Sequence, residues 1–326
     1  MAALLELESF TVELPTPEGW VRPVNEVSLE IAEGEALGLV GESGCGKTVL
    51  SLGLMGLEPH GARRSGRAWL TISRDGLGAR VNLAAMAGDG MRKLRGREIA
   101  MIFQEPMTAL DPVMRIGAQI EEAIEVHEPG LSRAEIRQRA SESLELASVP
   151  QPDMRARQFP HQLSGGLRQR VMIAMAVAMR PRLLIADEPT TALDVTVQKQ
   201  IIELLLRLCK ELHLALLFIT HDLGVVAQIA QRVAVMYAGR IVEMGPTLDV
   251  LARPSHPYTV GLLRAVPRLE GKKFAPIPGA VPRLDDLPPG CAFAPRCEYR
   301  RHECDAAVPD LREASPEHLA RCILVP

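Results

Sequence analysis

The stretch ALGLVGESGCGKTVLSLGLMGL, residues 36–57, joins an unbroken apolar run to a glycine-rich loop and then to a second apolar segment. The run 36–41 has the continuous hydrophobicity of a strand that is buried on both faces of a sheet. Residues 41–48 match the pattern G-x-x-x-x-G-K-S/T, and they lie between that strand and a helical pattern. The stretch therefore predicts a strand, a phosphate-binding loop and a helix in succession.

Each part of this loop has a physical reason to face a phosphate chain. Glycines let the backbone curl so that successive N–H groups point at phosphate oxygens. Lys47 offers a point charge to the β- and γ-phosphates of a nucleotide, and the Thr48 hydroxyl is a candidate ligand of Mg²⁺. The candidate nucleotide-binding residues are Gly41, Glu42, Ser43, Gly44, Cys45, Gly46, Lys47 and Thr48.

Two further apolar runs indicate more strands of a parallel sheet. They are RLLIADE, residues 182–188, and LALLFITHD, residues 214–222. The segment 196–212 between them has apolar residues at helical spacing, which predicts a strand, a helix and a second strand. These apolar residues are Ile201, Leu204, Leu205 and Leu208. The predicted fold class is α/β.

Polar residues that end the two runs are candidates for the chemistry. Because the carboxyl ends of parallel strands meet at one edge of a sheet, we expect these residues to lie near the phosphate-binding loop. Asp187 is the expected second protein ligand of the magnesium ion that Thr48 binds. Glu188 is the candidate general base that polarises an attacking water. His221 is predicted to contact the γ-phosphate.

The composition limits the class of protein. The chain has 326 residues, of which 47% are hydrophobic and 24% charged, so it can form one large globular domain and an appendage. A formal net charge of -3 gives no whole-chain argument for a nucleic-acid partner, and we expect none. No apolar run approaches the roughly 18 to 20 residues that cross a bilayer, and the first residues lack a signal-peptide pattern. We therefore expect neither secretion nor a membrane span.

Two segments depart from the α/β pattern. Residues from about 105 to 165 are typical of a helical subdomain inserted into the core, since isoleucines recur every fourth residue and Ser132 with Glu135 matches a capping box. These isoleucines are Ile116, Ile120 and Ile124. After about residue 250, frequent prolines interrupt any long helix. The predicted organisation is a nucleotide-binding domain over 1–250, which contains the helical subdomain, and a C-terminal extension over 251–326.

The stretch LSGGLRQRVMIAMAVAMRPRLLIADEPTTALD, residues 163–194, resembles the signature sequence, Walker B motif and D-loop of ATP-binding cassettes, in unbroken order. GESGCGKT, MIFQEP and FITHD have the spacing of the same family. This resemblance covers about residues 5–265 and implies the P-loop fold of an ABC ATPase. FQEPMTALDPVMRIGAQI, DVTVQ and HPYTVGLLRAVPRL are similar to ATPase subunits of oligopeptide, dipeptide and nickel importers. LSGGLRQR is closer to the D-type than to the F-type subunit of those importers.

The resemblance also implies roles that spacing alone does not reveal. Gln104 would sense the magnesium ion, as one of its ligands, and the attacking water, and its loop would touch the membrane partner. Ser164, Gly165 and Gly166 would close over ATP bound to the opposite subunit of a dimer. Asp194 would lie at the dimer interface. The implied cofactors are ATP and Mg²⁺.

As a member of this family, the chain would be the ATPase subunit that energises the import of small peptides. Its partners would be two membrane permease subunits, a paralogous ATPase subunit and an extracytoplasmic solute-binding protein, which places it at the cytoplasmic face of the inner membrane. Import of nickel or another small solute, and a soluble ABC ATPase outside transport, are the alternatives. The family's adenine-stacking aromatic residue is replaced at the aligned position by Leu14, and Trp20 is the nearest aromatic residue.

Four of the six cysteines crowd into the end of the chain. They lack the close C-x₂₋₄-C pair of most structural zinc sites, and thiolates in a reducing compartment suit an iron-sulfur cluster. The segment GCAFAPRC and the later cysteines resemble a C-terminal motif of peptide-importer ATPases that is associated with a 4Fe-4S cluster. Cys291, Cys297, Cys304 and Cys322 are therefore the candidate cluster ligands, and zinc or free thiols are the alternatives.

Overall fold

The structure is a computed structural model that describes residues 3–74, 77–191, 193–265 and 276–325. Its strands, in chain order, are β1 (Ala3–Thr16), β2 (Gly19–Ala32), β3 (Ala36–Val40), β4 (Arg63–Arg74), β5 (Leu77–Asn82), β6 (Ile99–Ile102), β7 (Leu183–Asp187), β8 (Ala215–Thr220), β9 (Arg232–Tyr237), β10 (Arg240–Pro246), β11 (Arg312–Ser315) and β12 (His318–Ala320). They form two sheets, with the orders β2-β1-β4-β5 and β11-β12-β10-β9-β3-β8-β7-β6.

In chain order, most of the helices come between strands of the larger sheet. They are α1 (Lys47–Met55), α2 (Asp89–Leu94), α3 (Pro106–Ala109), α4 (Ile116–His127), α5 (Arg133–Leu146), α6 (Pro152–Ala156), α7 (Gly165–Val177), α8 (Val195–Leu212), α9 (Leu223–Ile229), α10 (Thr247–Ala252) and α11 (Pro257–Arg264). Short 3₁₀ helices span Leu83–Ala85, Pro160–Gln162, Ala294–Arg296 and His302–Asp305. None of the helices in the described ranges combines the length and apolar composition that a membrane-spanning helix needs.

The three apolar runs in the sequence are adjacent strands of the larger sheet. β8 pairs in parallel with β3 on one side and with β7 on the other. Every residue of these three strands is buried, as expected for strands covered on both faces. The α/β prediction is confirmed. Because the three strands run in the same direction, the residues that follow them meet at one edge of the sheet.

The segment from α3 to α7 is helical and packs into the same hydrophobic core as the larger sheet. Ile116, Ile120 and Ile124 of α4 are fully buried in this core. α5 begins at a capping box, in which Ser132 and Glu135 bond each other's backbone N–H groups. Both local patterns in the sequence are confirmed here, since each depends on neighbouring residues of a single helix.

The C-terminal extension continues the core. β12 pairs antiparallel with β10, and β11 pairs with β12, so residues 312–320 add two strands to one edge of the larger sheet. α10 runs across position 250, where the composition changes. The buried carboxylate of Glu243 in β10 lies 2.7 Å from Nε2 of His318 in β12, which ties the last strand to the core. Tyr258 and Phe293 belong to the main hydrophobic core.

Candidate active site

The loop after β3 is shaped by close contacts that only glycine permits. Gly46 has a φ of 111°, and a Cβ atom built there would lie 1.8 Å from the carbonyl oxygen of Pro23. A Cβ atom on Gly41 would lie 2.2 Å from the carbonyl oxygen of Met236. Any side chain at either position would displace the backbone that supports the loop. These glycines therefore fix a tight turn between β3 and the first residue of α1.

Lys47 begins α1, and its side chain curls back over the loop. Its Nζ donates hydrogen bonds to the carbonyl oxygens of Gly41, at 2.7 Å, and Glu42, at 3.0 Å. The first turn of α1 contains no acidic residue that would occupy the free N–H groups of the helix N-terminus. Helix N-terminus and ammonium group both favour an anion at this loop, which agrees with the phosphate-binding prediction.

Asp187 ends β7 beside the loop, and only 1% of its surface is exposed. Burial raises the pKa of the Asp187 carboxyl, a hydrogen bond from Thr48 opposes this rise, and the charge of Glu188 adds to it. Among the described residues, its Oδ1 atom has no hydrogen-bond partner. A buried carboxylate oxygen without a partner, next to a threonine hydroxyl, fits the ligand set of a hard divalent cation. Thr48 and Asp187 are therefore suited to hold Mg²⁺.

The residues predicted to be catalytic surround a single carboxylate. Gln104 donates a hydrogen bond from Nε2 to Oε2 of Glu188, at 3.2 Å. The Thr191 hydroxyl donates to the same oxygen, at 2.9 Å. Nδ1 of His221 lies 3.5 Å from Oε1 of Glu188. Glu188 is thus oriented from both sides by groups that come from three different loops.

Glu188 also has an unusual backbone conformation. Its φ is 45°, which is costly for a residue with a side chain. Its N–H donates to the carbonyl of Ile219 at 2.9 Å, so the pairing of β7 with β8 continues one residue beyond β7. This bond holds the strained backbone in place. The consequence is a carboxylate that turns out of the sheet and toward Gln104 and His221.

The residues of the signature sequence and the D-loop lie at the N-termini of α7 and α8. Ser164 caps α7, and its hydroxyl accepts a hydrogen bond from the N–H of Leu167. Asp194 caps α8 by accepting from the N–H of Val197 at 2.9 Å. A Cβ atom on Gly166 would lie 2.9 Å from a methyl group of Val197, so the two helix starts are in contact. Ser164, Gly165 and Asp194 are exposed at this surface.

With this geometry established, the family models decide the class of protein. Residues 24–191 match the model described as ABC transporter. The chain belongs to the ABC transporter family. It is an ATPase of the ATP-binding cassette type, as the sequence motifs predicted. A second model, described as the C-terminal region of oligopeptide and dipeptide transporters, matches residues 242–304.

Relatives of this ABC ATPase extend over almost the whole chain. A Brucella abortus protein whose name refers to peptide import and ATP binding is 50% identical, with 98% of this chain and 96% of the relative covered. A dipeptide transport ATP-binding protein of Bacillus subtilis is 44% identical, with 99% and 95% covered. The solved dimeric structure of an ATP-binding cassette in a post-hydrolysis state, bound to ADP and phosphate, superimposes with a TM-score of 0.64 at 28% identity. It covers 74% of this chain and 98% of that one.

The position that the resemblance aligns with adenine stacking lies in the β1–β2 hairpin of this ABC ATPase. Leu14 is half-buried on β1 and pairs with Val21 across the β1–β2 hairpin. Trp20 lies beside it at the hairpin tip and is 43% exposed. The guanidinium of Arg63 stacks over the Trp20 ring at 3.9 Å, so one face of this ring is occupied.

The sequence patterns did not identify two residues that bind the phosphate-binding loop from outside it, Tyr258 and Arg296, or Tyr237, which contacts Arg296. The N–H of Glu42 donates to the hydroxyl of Tyr258 at 2.8 Å. Its carboxylate forms two short contacts with the guanidinium of Arg296, at 2.6 and 3.0 Å, and that guanidinium also reaches the hydroxyl of Tyr237 at 3.4 Å. The backbone N–H and the carboxylate of Glu42 are therefore both bound by residues from the C-terminal half of the chain. Tyr258 lies in the HPYT segment and Arg296 in GCAFAPRC, the two segments that the resemblance had already marked.

The four C-terminal cysteines line one narrow pocket, whose walls include the ring of Phe293. The N–H of Cys291 donates to the carbonyl of Cys304 at 2.7 Å, which closes the loop between them. Burial raises the pKa of Cys291 to about 11, and it also raises the pKa values of Cys297 and Cys322. Within the described ranges, no three His, Cys, Asp or Glu side chains are grouped as ligands of a metal ion.

Proposed function

We propose that this ABC ATPase energises the import of peptides through a membrane permease. One observation supports ATP hydrolysis: three candidate catalytic residues meet at one edge of the sheet, namely Gln104, Glu188 and His221. They lie beside Asp187 and Lys47. The transport half rests on the match to the C-terminal region of oligopeptide and dipeptide transporters, and on relatives that are named for peptide transport.

In the hydrolysis that we propose, the loop residues bind and Glu188 moves the proton. Lys47 offsets part of the negative charge of the phosphate chain, and the loop N–H groups donate hydrogen bonds to it, as their positions at the start of α1 favour. Glu188 accepts a proton from the attacking water, and Gln104 and Thr191 keep its carboxylate in one orientation. His221, which is 62% exposed, is free to reach the γ-phosphate. Thr48, Asp187 and Gln104 would hold Mg²⁺, which would supply positive charge that stabilises the phosphate chain.

Hydrolysis would require a second ATPase subunit. The N-terminus of α7, formed by Ser164, Gly165 and Gly166, lies at the surface. A helix N-terminus favours an anion, and the anion that we propose is the phosphate chain of ATP bound to the opposite subunit. Asp194 lies beside them, where it would contact the same partner. The dimeric cassette structure supports this arrangement. We propose that the second subunit is a paralogue of this chain.

The other partners follow from transport. We propose two membrane permease subunits, contacted through the loop that contains Gln104, and an extracytoplasmic solute-binding protein that delivers the peptide. The chain would then sit peripherally on the cytoplasmic face of the inner membrane, with no nucleic-acid partner. Phe103, which precedes Gln104 and is 37% exposed, is an apolar contact available to the permease.

Uptake by cells tests this proposal directly. Cells that lack the chain should lose uptake of labelled di- and oligopeptides, and the wild-type gene should restore it. The Lys47→Ala variant should fail to restore uptake, while the Lys199→Ala variant, which alters an exposed lysine of α8, should succeed. Loss of nickel uptake with unchanged peptide uptake would assign the transporter to nickel instead. Unchanged uptake of both peptides and nickel would contradict the proposed role in peptide import and the nickel alternative.

We also propose that Cys291, Cys297, Cys304 and Cys322 hold a 4Fe-4S cluster. The support is their common position around one pocket and the number of thiols that such a cluster needs. Because the present side-chain positions do not form a metal site, binding would require the thiols to turn toward one another. Anaerobic purification followed by iron and acid-labile sulfide assays tests this. The wild type and the control Cys209→Ser should contain about four irons and four sulfides, and Cys297→Ser should lose them. Zinc or no metal in the wild type would contradict the cluster.

A further inference from the structure

Glu42 lies within the phosphate-binding loop, yet its carboxylate is bound by a residue 254 positions away. Arg296 ends the 3₁₀ helix Ala294–Arg296 of the C-terminal extension, and its side chain is only 4% exposed. The two side chains meet through both terminal guanidinium nitrogens and both carboxylate oxygens. A bidentate pair of this kind fixes direction as well as distance.

The remaining donors of Arg296 are also occupied. Its Nε donates to the carbonyl of Pro278 at 3.0 Å, and the terminal nitrogens reach the carbonyl of Ile277 and the hydroxyl of Tyr237, each at 3.4 Å. The guanidinium is therefore held by the extension and presented to Glu42 in one orientation. A rigid cation costs less conformational entropy when it pairs than a free side chain would.

The contacts continue from Glu42 to the lysine that binds phosphate. The carbonyl oxygen of Glu42 accepts a hydrogen bond from Nζ of Lys47, and its N–H is held by Tyr258. The ring of Tyr258 packs against Tyr237 at 4.5 Å and against Phe293 at 5.4 Å. The extension thus contacts both the backbone and the side chain of Glu42. Glu42 in turn contacts Lys47, so it links the extension to the phosphate-binding lysine.

An unpaired carboxylate at this position would oppose ATP binding. The loop binds a polyanion, and a free negative charge close to it repels that ligand in the reduced dielectric of a partly buried site. Arg296 cancels this charge. It would also prevent the carboxylate from competing for the ammonium group of Lys47.

We propose that Arg296 is a positioning residue for the phosphate-binding loop, which raises ATP affinity by neutralising Glu42. This rests on the ATP-binding role proposed above for the loop. Affinity for nucleotide therefore depends on a side chain outside the ATP-binding core, adjacent in sequence to Cys297. A residue that only fastened the extension to the core would affect stability and not the charge at the loop.

Equilibrium binding of MgATP to the full-length chain tests the proposal, with the melting temperature measured on each variant. Arg296→Met should weaken binding about tenfold, because it leaves the single negative charge of Glu42 uncompensated near the site that binds a polyanion. The double variant Glu42→Gln with Arg296→Met should recover most of the lost affinity, because no carboxylate is left to repel the ligand. Arg296→Gln, which can still donate to Pro278, serves as the second variant if the methionine variant fails to fold, and it should weaken binding in the same direction.

Two controls separate charge from attachment. Arg264→Met removes an exposed ion pair with Glu298 that also connects α11 to the cysteine segment, and it should leave MgATP binding unchanged. His318→Gln weakens the attachment of β12 to Glu243, and its melting temperature should fall with little change in affinity.

Unchanged affinity in Arg296→Met would overturn the proposal. It would also be overturned if the double variant bound as weakly as Arg296→Met, or if His318→Gln lost as much affinity at the same loss of melting temperature. Failure of the wild type to bind MgATP would instead contradict the ATPase function itself.

Discussion

The amide of Gln104 and the carboxylate of Glu188 share a hydrogen bond of 3.2 Å, although 84 positions separate them in the chain. Gln104 follows β6 and Glu188 follows β7, and these two strands pair in parallel. Two strand ends therefore bring a candidate magnesium ligand and the candidate general base into contact.

Replacing Gln104 by Ala should lower kcat for ATP hydrolysis by about tenfold or more, because Glu188 loses a group that fixes its orientation toward water. ATP affinity should change less, since Lys47 and the loop remain. The matched control is Gln138→Ala, which removes a glutamine-to-glutamate hydrogen bond of 2.9 Å on the exposed face of α5. An equal loss of activity in both variants would remove Gln104 from the reaction.

Lys47→Ala should abolish measurable MgATP binding at concentrations that saturate the wild type. The substitution deletes the only buried charged side chain of the loop residues 41–48, and this ammonium group is the one we expect to bind the phosphates. Calorimetric titration measures the effect, and Lys199→Ala is the control on an exposed helix face. Wild-type affinity in the Lys47 variant would place the phosphates elsewhere.

Asp194 has two candidate roles that one substitution separates. Asn retains the capping acceptor for the N–H of Val197, so Asp194→Asn should keep the melting temperature of the wild type. Ala should cost about 1 kcal/mol of stability because it removes the cap. If Asp194 also acts at the dimer interface, ATP-dependent dimer formation should weaken in the Asn variant as well. Normal dimer formation and ATPase activity in that variant would limit Asp194 to capping.

His256 should make the fold sensitive to acid. Burial lowers its pKa from the ordinary value of 6.5 to about 3, the backbone carbonyl of Arg321 opposes this, and the charge of Arg321 adds to it. Below pH 6.5 the unfolded chain binds a proton that the folded chain does not, so the free energy of unfolding falls as the pH falls from 6.5 toward 3. The slope from this residue is at most about 1.4 kcal/mol per pH unit.

His256→Asn tests this acid sensitivity. Asn can replace the Nδ1 acceptor that caps α11 by bonding the N–H of Tyr258, and it does not titrate. Denaturant unfolding at pH 7 and pH 5 should show a smaller loss of stability in this variant than in the wild type, while Glu243 and His318 nearby are unchanged in both. His60→Asn, at an exposed loop position, is the control. The same pH dependence in all three proteins would contradict a titrating role for His256.

The strand ends were predictable because local patterns determine them. Continuous apolar runs identify buried parallel strands, and parallel strands place Lys47, Asp187 and His221 at one edge. The contact of Arg296 with Glu42 could not be predicted, since no local period links residues so far apart. The three-residue strand β12 carries no recognisable pattern, and its pairing with β10 is accompanied by the buried contact between Glu243 and His318.

The backbone conformation of Glu188 is a second feature that the sequence does not predict. A positive φ at a glutamate opposes the conformational preference of the residue, so sequence propensity argues against it. The hydrogen bond to Ile219 and the contacts with Gln104 and Thr191 outweigh that preference. Such a conflict between local preference and tertiary contacts is expected at a functional site.

Single-turnover and steady-state ATP hydrolysis by Glu188→Gln test the central claim most directly. Gln is nearly isosteric and can keep contacts with Gln104 and Thr191, but it cannot accept the proton of the attacking water. We predict that the variant binds MgATP with an affinity close to that of the wild type and that its kcat falls by about 100-fold or more. Hydrolysis at the wild-type rate by a variant that binds MgATP normally would contradict the assignment of Glu188 as the base, and with it the proposed hydrolytic site.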